Sequence, residues 1–272
     1  IITGEILSKT NDVPAYYDRL TQLFLRFGIT KRAGAIHRAV RLSEFPDISP
    51  DDTVHVLIAD TLRQLPQCAT VADLGCGVGA SMVAVSRLLG DAVQCSGITI
   101  SHAQAEVIRS HPVTVASYDN LPYADASLDA VWAIESFAHS HNPSRFFAEV
   151  ARVLRPHGIC IICDDMRTST DDSVFVDVFK YGWMVPNVNT SMHHATHAHA
   201  HGLVLRTIRD LTPGVTIYAL PTGVAQLFFA YLHKKLPRQM VVRSMLGSWA
   251  LQQCYAAQQM AYQFIIFEKK HA

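Results

Sequence analysis

Short apolar runs alternate with helical stretches through the middle of the chain, between Ala69 and Asp165. This alternation is typical of βαβ units, so it predicts an α/β fold built on a mostly parallel sheet. The predicted strands cover residues 70–74, 93–99, 113–116, 128–134 and 158–163. The predicted helices between them cover residues 80–89, 102–110 and 143–154.

Helical periodicity also flanks this region on both sides. The flanking helical segments are residues 13–27, 51–65, 173–183, 212–236 and 241–258, and further strands are predicted at 203–209 and 262–268. The chain is therefore expected to divide into four parts. These parts are a helical cap (1–66), a ligand-binding core (67–165), a substrate-cap insert (166–202) and a C-terminal part of the core with its own helical insert (203–272).

Residues 71–79 read VADLGCGVG, an apolar run and an acid followed by glycines at alternate positions. A strand, a tight turn and a helix start fit this pattern, because glycine lets the backbone approach a ligand closely. The glycines are Gly75, Gly77 and Gly79, with Asp73 two residues before the first. Their G-x-G-x-G spacing differs from the dinucleotide fingerprint G-x-G-x-x-G. It resembles the first motif of class I methyltransferases that use S-adenosyl-L-methionine (SAM).

The resemblance implies a Rossmann-like class I methyltransferase sheet, mostly parallel with an antiparallel last strand, under a helical cap. It also implies SAM as the cofactor. The residues implied to hold the amino-acid and ribose region of SAM are Asp73, Gly75, Cys76, Gly77 and Gly79. For Asp73 two roles stay open: it accepts a hydrogen bond from the ammonium group of SAM, or it caps the turn.

Residues 96–104 read SGITISHAQ, where related folds usually end the second strand in an acid that binds the ribose. The G-I-T-I-S form is similar to that of tocopherol, cyclopropane-fatty-acid and prenyl C-methyltransferases. This resemblance implies that Thr99 and Gln104 take over the ribose contacts, since hydroxyl and amide groups also pair with a diol. Ile100, between them, is assigned to cofactor binding as well. Ser101 is expected to cap the helix that follows.

Two further segments extend the resemblance. Residues 117–123, SYDNLPY, match the family segment G-D-A-x-x-L-P-F, whose acid contacts the adenine amino group. That acid aligns with Ser117 here, so two alternatives stay open: Asp119 makes the contact, or backbone groups of Ser117 and Tyr118 do. Residues 146–158, FFAEVARVLRPHG, resemble the E-x-x-R-V-L-K-P-G-G helix and turn. The motifs occur in order from about residue 16 to residue 165, and together they are specific for the superfamily.

The fourth predicted strand ends in WAIESFAHSH, residues 132–141, and in this family its tip faces the methyl group. Candidates to meet the methyl acceptor there are Glu135, Phe137, His139 and His141. Glu135 follows an apolar strand, and partial burial suits a general base. In prenyl C-methyltransferases a glutamate in a similar E-S context faces the carbocation formed when an alkene attacks SAM. The alternative is that Glu135 is a structural carboxylate near SAM. Glu135 is also assigned to cofactor binding.

Aromatic residues are expected to complete the site. Tyr16 and Tyr17 resemble the Y-Y-D opening of the same subgroup, where a tyrosine folds over the cofactor. Tyr16 is assigned to SAM and Tyr17 to catalysis, although which of the two touches the cofactor stays open. Phe179 and Trp183 lie in the insert where this superfamily builds substrate pockets, and packing within the cap is their alternative role.

A histidine-rich tract, SMHHATHAHAHG, covers residues 191–202. On a helix, His193, His197 and His201 share one face, a spacing that can bind a transition metal. No acid accompanies them, so no metal site is predicted. His193 and His194 are assigned instead to substrate binding, with Arg38, Arg41 or Arg167 as partners if the substrate carries an anion.

Composition narrows the choice of partners. Lys and Arg number 23, as do Asp and Glu, so there is no basic excess to follow a nucleic-acid backbone, and a small-molecule substrate is expected. No apolar run approaches the length of a membrane span.

The six cysteines are scattered, and Cys160 and Cys163 are expected on opposite faces of one strand. Buried free thiols and no secretory leader predict a cytoplasmic protein, and a homo-oligomer stays open.

The first functional hypothesis is SAM-dependent C-methylation of a small, largely apolar acceptor, an isoprenoid or prenylated metabolite. Glu135 and aromatic residues would stabilise the carbocation in that reaction. The second is N- or O-methylation of a small natural product, with Glu135 or His139 as the base or orienting group. The third is a SAM-binding protein without catalysis, against which the intact glycine loop argues.

Overall fold

A computed structural model of the chain describes residues 17–18, 21, 37–186, 188–233, 236 and 239–270. Its strands are β1 (Ala69–Leu74), β2 (Val93–Thr99), β3 (Val113–Val115), β4 (Leu128–Ile134), β5 (Leu154–Arg167), β6 (Leu203–Asp210) and β7 (Met260–Lys269). Its fully described α-helices are α1 (Thr53–Leu62), α2 (Ala80–Leu89), α3 (His102–Val107), α4 (Pro143–Val153), α5 (Val174–Trp183), α6 (Ser191–Ala200), α7 (Thr222–His233) and α8 (Met240–Ala256).

The described strands form one sheet in the order β3-β2-β1-β4-β5-β7-β6. All neighbouring pairs from β3 to β5 are parallel, and β7 lies antiparallel between β5 and β6. The predicted sheet, mostly parallel with an antiparallel last strand, is confirmed. The strand order reverses between β1 and β4, and open α/β sheets bind ligands beyond the carboxyl ends of the strands at such a point.

Apolar side chains cover both faces of the sheet, because its central strands are buried between helices. Trp132 belongs to the core on one face, and its neighbour Val131 to the core on the other. The same alternation places Cys160 and Cys163 on opposite faces, as predicted, and both are free thiols. Burial raises the pKa of both thiols, so they stay protonated and behave as small apolar residues.

Helix starts follow local capping chemistry. The hydroxyl oxygen of Ser101 accepts a hydrogen bond from the Gln104 backbone N–H at 3.1 Å, which confirms its predicted role as a cap. Asn142 caps α4 in the same way, with Pro143 in the first turn, where a missing N–H costs little.

Several predicted boundaries were wrong. The helix predicted for residues 212–236 is a 3₁₀ turn at Thr212–Gly214, an irregular stretch, and then α7. Pro213 and Pro221 explain the break, since proline lacks an N–H and disfavours helical backbone in the preceding residue. The strand predicted for 158–163 extends over all of β5, and α3 ends three residues before the predicted 110.

The N-terminal helix predicted for residues 13–27 lies mostly outside the described residues, although Tyr17, Asp18 and Thr21 are helical. Residues 203–272 supply β6 and β7 to the same sheet as the core. The division of the chain into four parts stays a prediction. None of the described helices combines the length and apolar character needed to cross a bilayer.

Candidate active site

A cavity opens beyond the carboxyl ends of β1 and β4, where the strand order reverses. Its walls come from four sources: the glycine loop after β1, the ends of β2, β4 and β5, helix α5, and N-terminal residues that include Tyr17 and Arg38. The cavity therefore joins residues that are far apart in the chain. It has a cofactor side, lined by the motifs near β1 and β2, and an acceptor side near β4, β5 and α5.

The glycine loop needs backbone conformations that other residues rarely adopt. Gly75 has a φ of 100°, and a Cβ added there would lie 2.5 Å from Cβ of Ser136. Gly75 and Cys76 donate backbone hydrogen bonds to the Ile98 carbonyl, which ties the loop to the end of β2. Gly75, Cys76 and Gly77 line the cavity, whereas Gly79 immediately precedes α2 and is not part of the cavity wall.

Replacing Gly75 by alanine is expected to destabilise the fold by about 1–3 kcal/mol and to abolish SAM binding, because the new Cβ meets Ser136 at a positive φ. Gly223→Ala is the matched control, since a Cβ there meets open space. It should stabilise α7 slightly. Thermal unfolding and calorimetry with SAM measure both effects. Equal behaviour of the two variants would contradict the role of the loop.

Asp73 is buried at the end of β1 and lines the cavity. Burial raises its pKa to about 7, opposed in part by the hydrogen bond that the Ser81 hydroxyl donates to its carboxylate. The bond to Ser81 fits the turn-capping alternative, and the position on the cavity wall fits contact with SAM. A bound ammonium group would favour the carboxylate form.

SAM affinity is expected to fall as the pH drops below about 7, because protonated Asp73 cannot pair with the ammonium group of SAM. The apparent Kd should rise by up to about tenfold per pH unit below that point and stay flat above it. Calorimetric titration on both sides of neutrality measures this dependence. Asp73→Asn should bind weakly with little pH dependence, and a flat wild-type profile would remove Asp73 from the cofactor site.

Thr99, Ile100 and Gln104 also line the cofactor side. The Thr99 hydroxyl donates to the Gln104 side-chain carbonyl at 2.7 Å, so the two polar groups hold each other on the wall. Asp18 accepts hydrogen bonds from the Ser101 hydroxyl and the Ala103 N–H at the start of α3. This contact anchors the N-terminal segment at the cofactor side.

The predicted adenine segment is only partly on the wall. Tyr118 lines the cavity and donates its hydroxyl hydrogen bond to the Ser136 carbonyl at 3.0 Å. Ala116 lines the cavity as well, whereas the side chains of Ser117 and Asp119 do not. Contact between this segment and adenine stays a prediction.

Glu135 lies at the tip of β4 with a φ of 47°, and it lines the acceptor side. Arg38 holds its carboxylate twice, with a backbone N–H at 2.7 Å and a guanidinium nitrogen at 2.9 Å. The same guanidinium binds Asp165 at 2.6 Å and lies over the Tyr262 ring, 5.1 Å from its centroid. Glu135 is therefore engaged in an ion-pair network.

The electrostatics of this network keep Arg38 charged. Burial lowers its pKa, and the carboxylates of Asp165 and Glu135 outweigh that effect and raise it well above the usual value. Burial also raises the pKa of Asp164 and of Asp165, while Arg38 opposes the rise at Asp165. Asp164 accepts the Ala138 N–H at 2.9 Å, which positions the 3₁₀ turn that carries His139.

His139 lines the acceptor side, and its Nε2 lies 2.7 Å from the Tyr17 hydroxyl. Burial lowers the pKa of this imidazole to about 4, so it is neutral near pH 7. A neutral imidazole can accept a proton. Tyr17 lines the same cavity, so the predicted catalytic residues Tyr17, His139 and Glu135 all lie on its wall.

Phe179 and Trp183 of α5 line the acceptor side, as their assignment to the substrate requires. The structure does not bring Phe137 to the cavity: its side chain is 2% exposed and packs on Phe146 with ring centroids 4.8 Å apart, behind the cavity wall. The reason is the short 3₁₀ turn after β4, which points Phe137 into the core while His139 faces the cavity.

The remaining assigned residues lie elsewhere. His141 and His193 are exposed and His194 is buried against Phe137, so none of them lines the cavity. Burial lowers the pKa of His194 to about 3. His193 and His197 touch each other at 3.3 Å, and no group of three potential metal ligands occurs in the part of the chain described. Tyr16 lies outside the described residues.

The residues that sequence reasoning missed are Asp164 and Asp165 and the bridging role of Arg38. The two acids directly follow the apolar run GICIIC, so they end a buried strand at the ligand edge of the sheet. Two acids directly after a predicted buried strand could therefore have been identified from the sequence as candidate site residues. The pairing of Arg38 with Glu135, 97 positions away, left no local trace.

Comparison with known proteins agrees with this geometry. A family model described as a methyltransferase domain matches residues 72–162. The methyltransferase GfsG of Streptomyces halstedii is 34% identical over 238 residues, covering 80% of each chain. The chain belongs to the class I SAM-dependent methyltransferases. SAM is its cofactor and methyl transfer its reaction, and the glycine loop with Asp73, Thr99 and Gln104 supplies groups that fit SAM.

Other proteins similar to the methyltransferase are also named as methyltransferases. The O-methyltransferase resE of Aspergillus sclerotiorum is 32% identical over 169 residues, which are 56% of this chain and 60% of the relative. A solved geranyl diphosphate methyltransferase, in complex with GPP and sinefungin, superposes with a TM-score of 0.68 over 93% of this chain and 99% of its own. At 18% identity, this likeness shows a shared fold.

Proposed function

We propose that the methyltransferase methylates a hydroxyl oxygen of a small, largely apolar metabolite, with Tyr17 and His139 receiving the hydroxyl proton. The observation that carries this proposal is the hydrogen bond between the Tyr17 hydroxyl and His139 Nε2 on the cavity wall. Neutral alcohols are poor nucleophiles and gain from a base within hydrogen-bond reach.

The two residues can act as a proton relay that consists of two linked transfers. The acceptor hydroxyl gives its proton to the Tyr17 oxygen while Tyr17 passes its own proton to His139 Nε2, which becomes an imidazolium. When bound, SAM would supply the electrophilic methyl group, and its carbon–sulfur bond would break as the bond to the acceptor oxygen forms. Holding the acceptor in line is the main remaining task, and Phe179 and Trp183 provide an apolar wall for it.

Glu135 is less suited to be the base for an oxygen acceptor. Both of its carboxylate oxygens already contact Arg38, one at the backbone N–H and the other at the guanidinium. In this proposal Glu135 and Asp165 position Arg38, and Arg38 connects the N-terminal segment to the ends of β4 and β5. The O-methyltransferase among the relatives, at 32% identity, supports the choice of oxygen.

C-methylation of an isoprenoid or prenylated acceptor is the second candidate. The observation that favours it is that Glu135, Phe179 and Trp183 line the same acceptor side. A carboxylate and aromatic faces stabilise a carbocation, which would then lose a proton. The geranyl diphosphate methyltransferase with the same fold is consistent with this chemistry.

The two candidates differ in the bond that forms. SAM with a labelled methyl group would be offered in parallel to apolar alcohols, phenols, isoprenoid diphosphates and simple amines. We expect labelled methyl ethers, identified by the chemical shift of an oxygen-bound methyl group. A carbon-bound methyl group in an isoprenoid product would overturn the first proposal and support the second, and labelled methylamines would contradict both.

A further inference from the structure

Helix α7 exposes an apolar surface to solvent. Of its side chains, only Ala225 and Phe229 are buried, whereas Val224 is 56%, Leu227 78% and Tyr231 61% exposed. A helix that is apolar on all sides is normally buried. The packing of α7 on the fold therefore accounts for one narrow stripe of the helix and leaves its other faces uncovered.

The surface continues beyond α7. Ten of the fifteen exposed large apolar side chains in the described residues fall between Ile217 and Met245, and we call this surface the apolar ridge. Tyr218 before α7 is 76% exposed, and Met245 in α8 is 66% exposed. Such a concentration of exposed apolar side chains in one part of the chain indicates an interaction site.

The charged residues in the sequence around the apolar ridge are all basic, although the formal net charge of the whole chain is zero. No acidic residue occurs between Asp210 and Glu268, while Lys234, Lys235, Arg238 and Arg243 are basic. Arg243 is buried, donates to the Tyr181 carbonyl at 2.6 Å and lies over the Tyr181 ring. The three other basic residues lie in the sequence between α7 and α8.

We propose that the apolar ridge docks the methyltransferase onto an anionic lipid surface. Exposed aliphatic and tyrosine side chains, in a stretch of sequence whose charged residues are all basic, are the features of a segment that lies in the membrane interface. Helix α7 has 12 residues, about 18 Å at 1.5 Å per residue, so it lies on a bilayer and does not cross it.

A lipid surface fits the ridge better than a protein partner does. A second copy docked through a two-fold axis would bring two acid-free, basic segments together without a carboxylate from either ridge to pair with them. A protein interface also uses about one hydrogen bond per 100–200 Å². Between Val224 and Leu232, Gln226 and Tyr231 are the side chains of α7 that can hydrogen-bond. Lipid chains require no such partners.

The ridge is connected to the acceptor side of the cavity through α5. Phe229 of α7 packs on Phe175 of α5 with ring centroids 5.5 Å apart. Gly182 of α5 and Gly247 of α8 bring their backbones together, since a Cβ on Gly182 would collide with Gly247. The helix that carries Phe179 and Trp183 into the cavity thus lies directly under the docked surface. An apolar acceptor dissolved in lipid would be delivered near this wall.

The test is sedimentation of the purified chain with vesicles of phosphatidylcholine alone or with phosphatidylglycerol added. We expect binding to the anionic vesicles, weakened by salt. Leu227→Asp should lower that binding by about tenfold or more, because it places a charge where an apolar side chain would enter the interface. Met192→Asp, at a 61% exposed site on α6, is the matched control and should bind as the wild type does. Lys234→Gln with Lys235→Gln should reduce the preference for anionic lipid.

Leu227 is exposed, so both aspartate variants should keep the thermal unfolding temperature of the wild type. Absence of vesicle binding by the wild type would overturn the proposal. So would equal losses in Leu227→Asp and Met192→Asp. A wild-type dimer that Leu227→Asp dissociates, without vesicle binding, would assign the ridge to a second copy instead. Binding to lipid is read out without turnover, so its failure is separate from failure of the proposed oxygen methylation.

Discussion

Replacing His139 by glutamine is expected to lower kcat by about 10²–10⁴-fold while SAM affinity stays unchanged. Glutamine can keep a hydrogen bond to the Tyr17 hydroxyl, which lies 2.7 Å from Nε2 of His139 in the wild type. It cannot take up a proton, so the relay loses its final acceptor. Single-turnover rates and SAM calorimetry separate the loss of proton transfer from a loss of binding.

The matched control for this variant is His194→Gln. His194 is also buried and neutral, since burial lowers its pKa to about 3, but it lies outside the cavity. We expect its kcat to be close to that of the wild type. Tyr17→Phe should show a loss similar to that of His139→Gln, because it removes the first proton acceptor.

Glu135→Gln distinguishes the two candidate reactions. If it reduced kcat by a hundredfold or more while His139→Gln had little effect, carboxylate chemistry would replace the relay. The pH dependence provides a second check. Burial lowers the pKa of His139 to about 4, so the base should stay unprotonated, and kcat measured at saturating SAM should not fall until the medium becomes strongly acidic.

Replacing Arg38 by methionine is expected to lower the free energy of unfolding by about 3–5 kcal/mol near pH 8. The change removes the partner of both Glu135 and Asp165 and leaves two carboxylates without a counterion beside the cavity. Chemical denaturation at several pH values measures the effect. The destabilisation should shrink as the pH falls, because burial already raises the pKa of Asp165 and protonation then removes its unpaired charge.

Arg63→Met is the matched control, because its ion pair with Asp60 is exposed on α1. Exposed pairs contribute at most about 1 kcal/mol, so this variant should unfold nearly as the wild type does. Adding Asp165→Asn to Arg38→Met should recover part of the lost stability. A loss in Arg38→Met no larger than that in Arg63→Met would show that the network does not stabilise the fold.

Much of the core was predictable because its signals are local. Gly75 is needed where the loop turns with a positive φ, and Ser101 caps the helix that begins at the next residue. The bounds of β2, β4 and α2 agree with the sequence pattern to the residue. The prediction of one helix across residues 212–236 was wrong, because it gave more weight to the apolar periodicity than to Pro213 and Pro221.

Local chemistry in the chain was enough to specify the SAM loop, the parallel strands and the position of Glu135 and His139 after β4, since each depends on neighbours a few residues away. Folding alone brought Tyr17 to His139, 122 positions apart, and Arg38 to Glu135 and Asp165. It also turned Phe137 into the core and left α7 uncovered. These outcomes depend on how distant segments pack, and packing between distant segments leaves no periodicity in a single sequence.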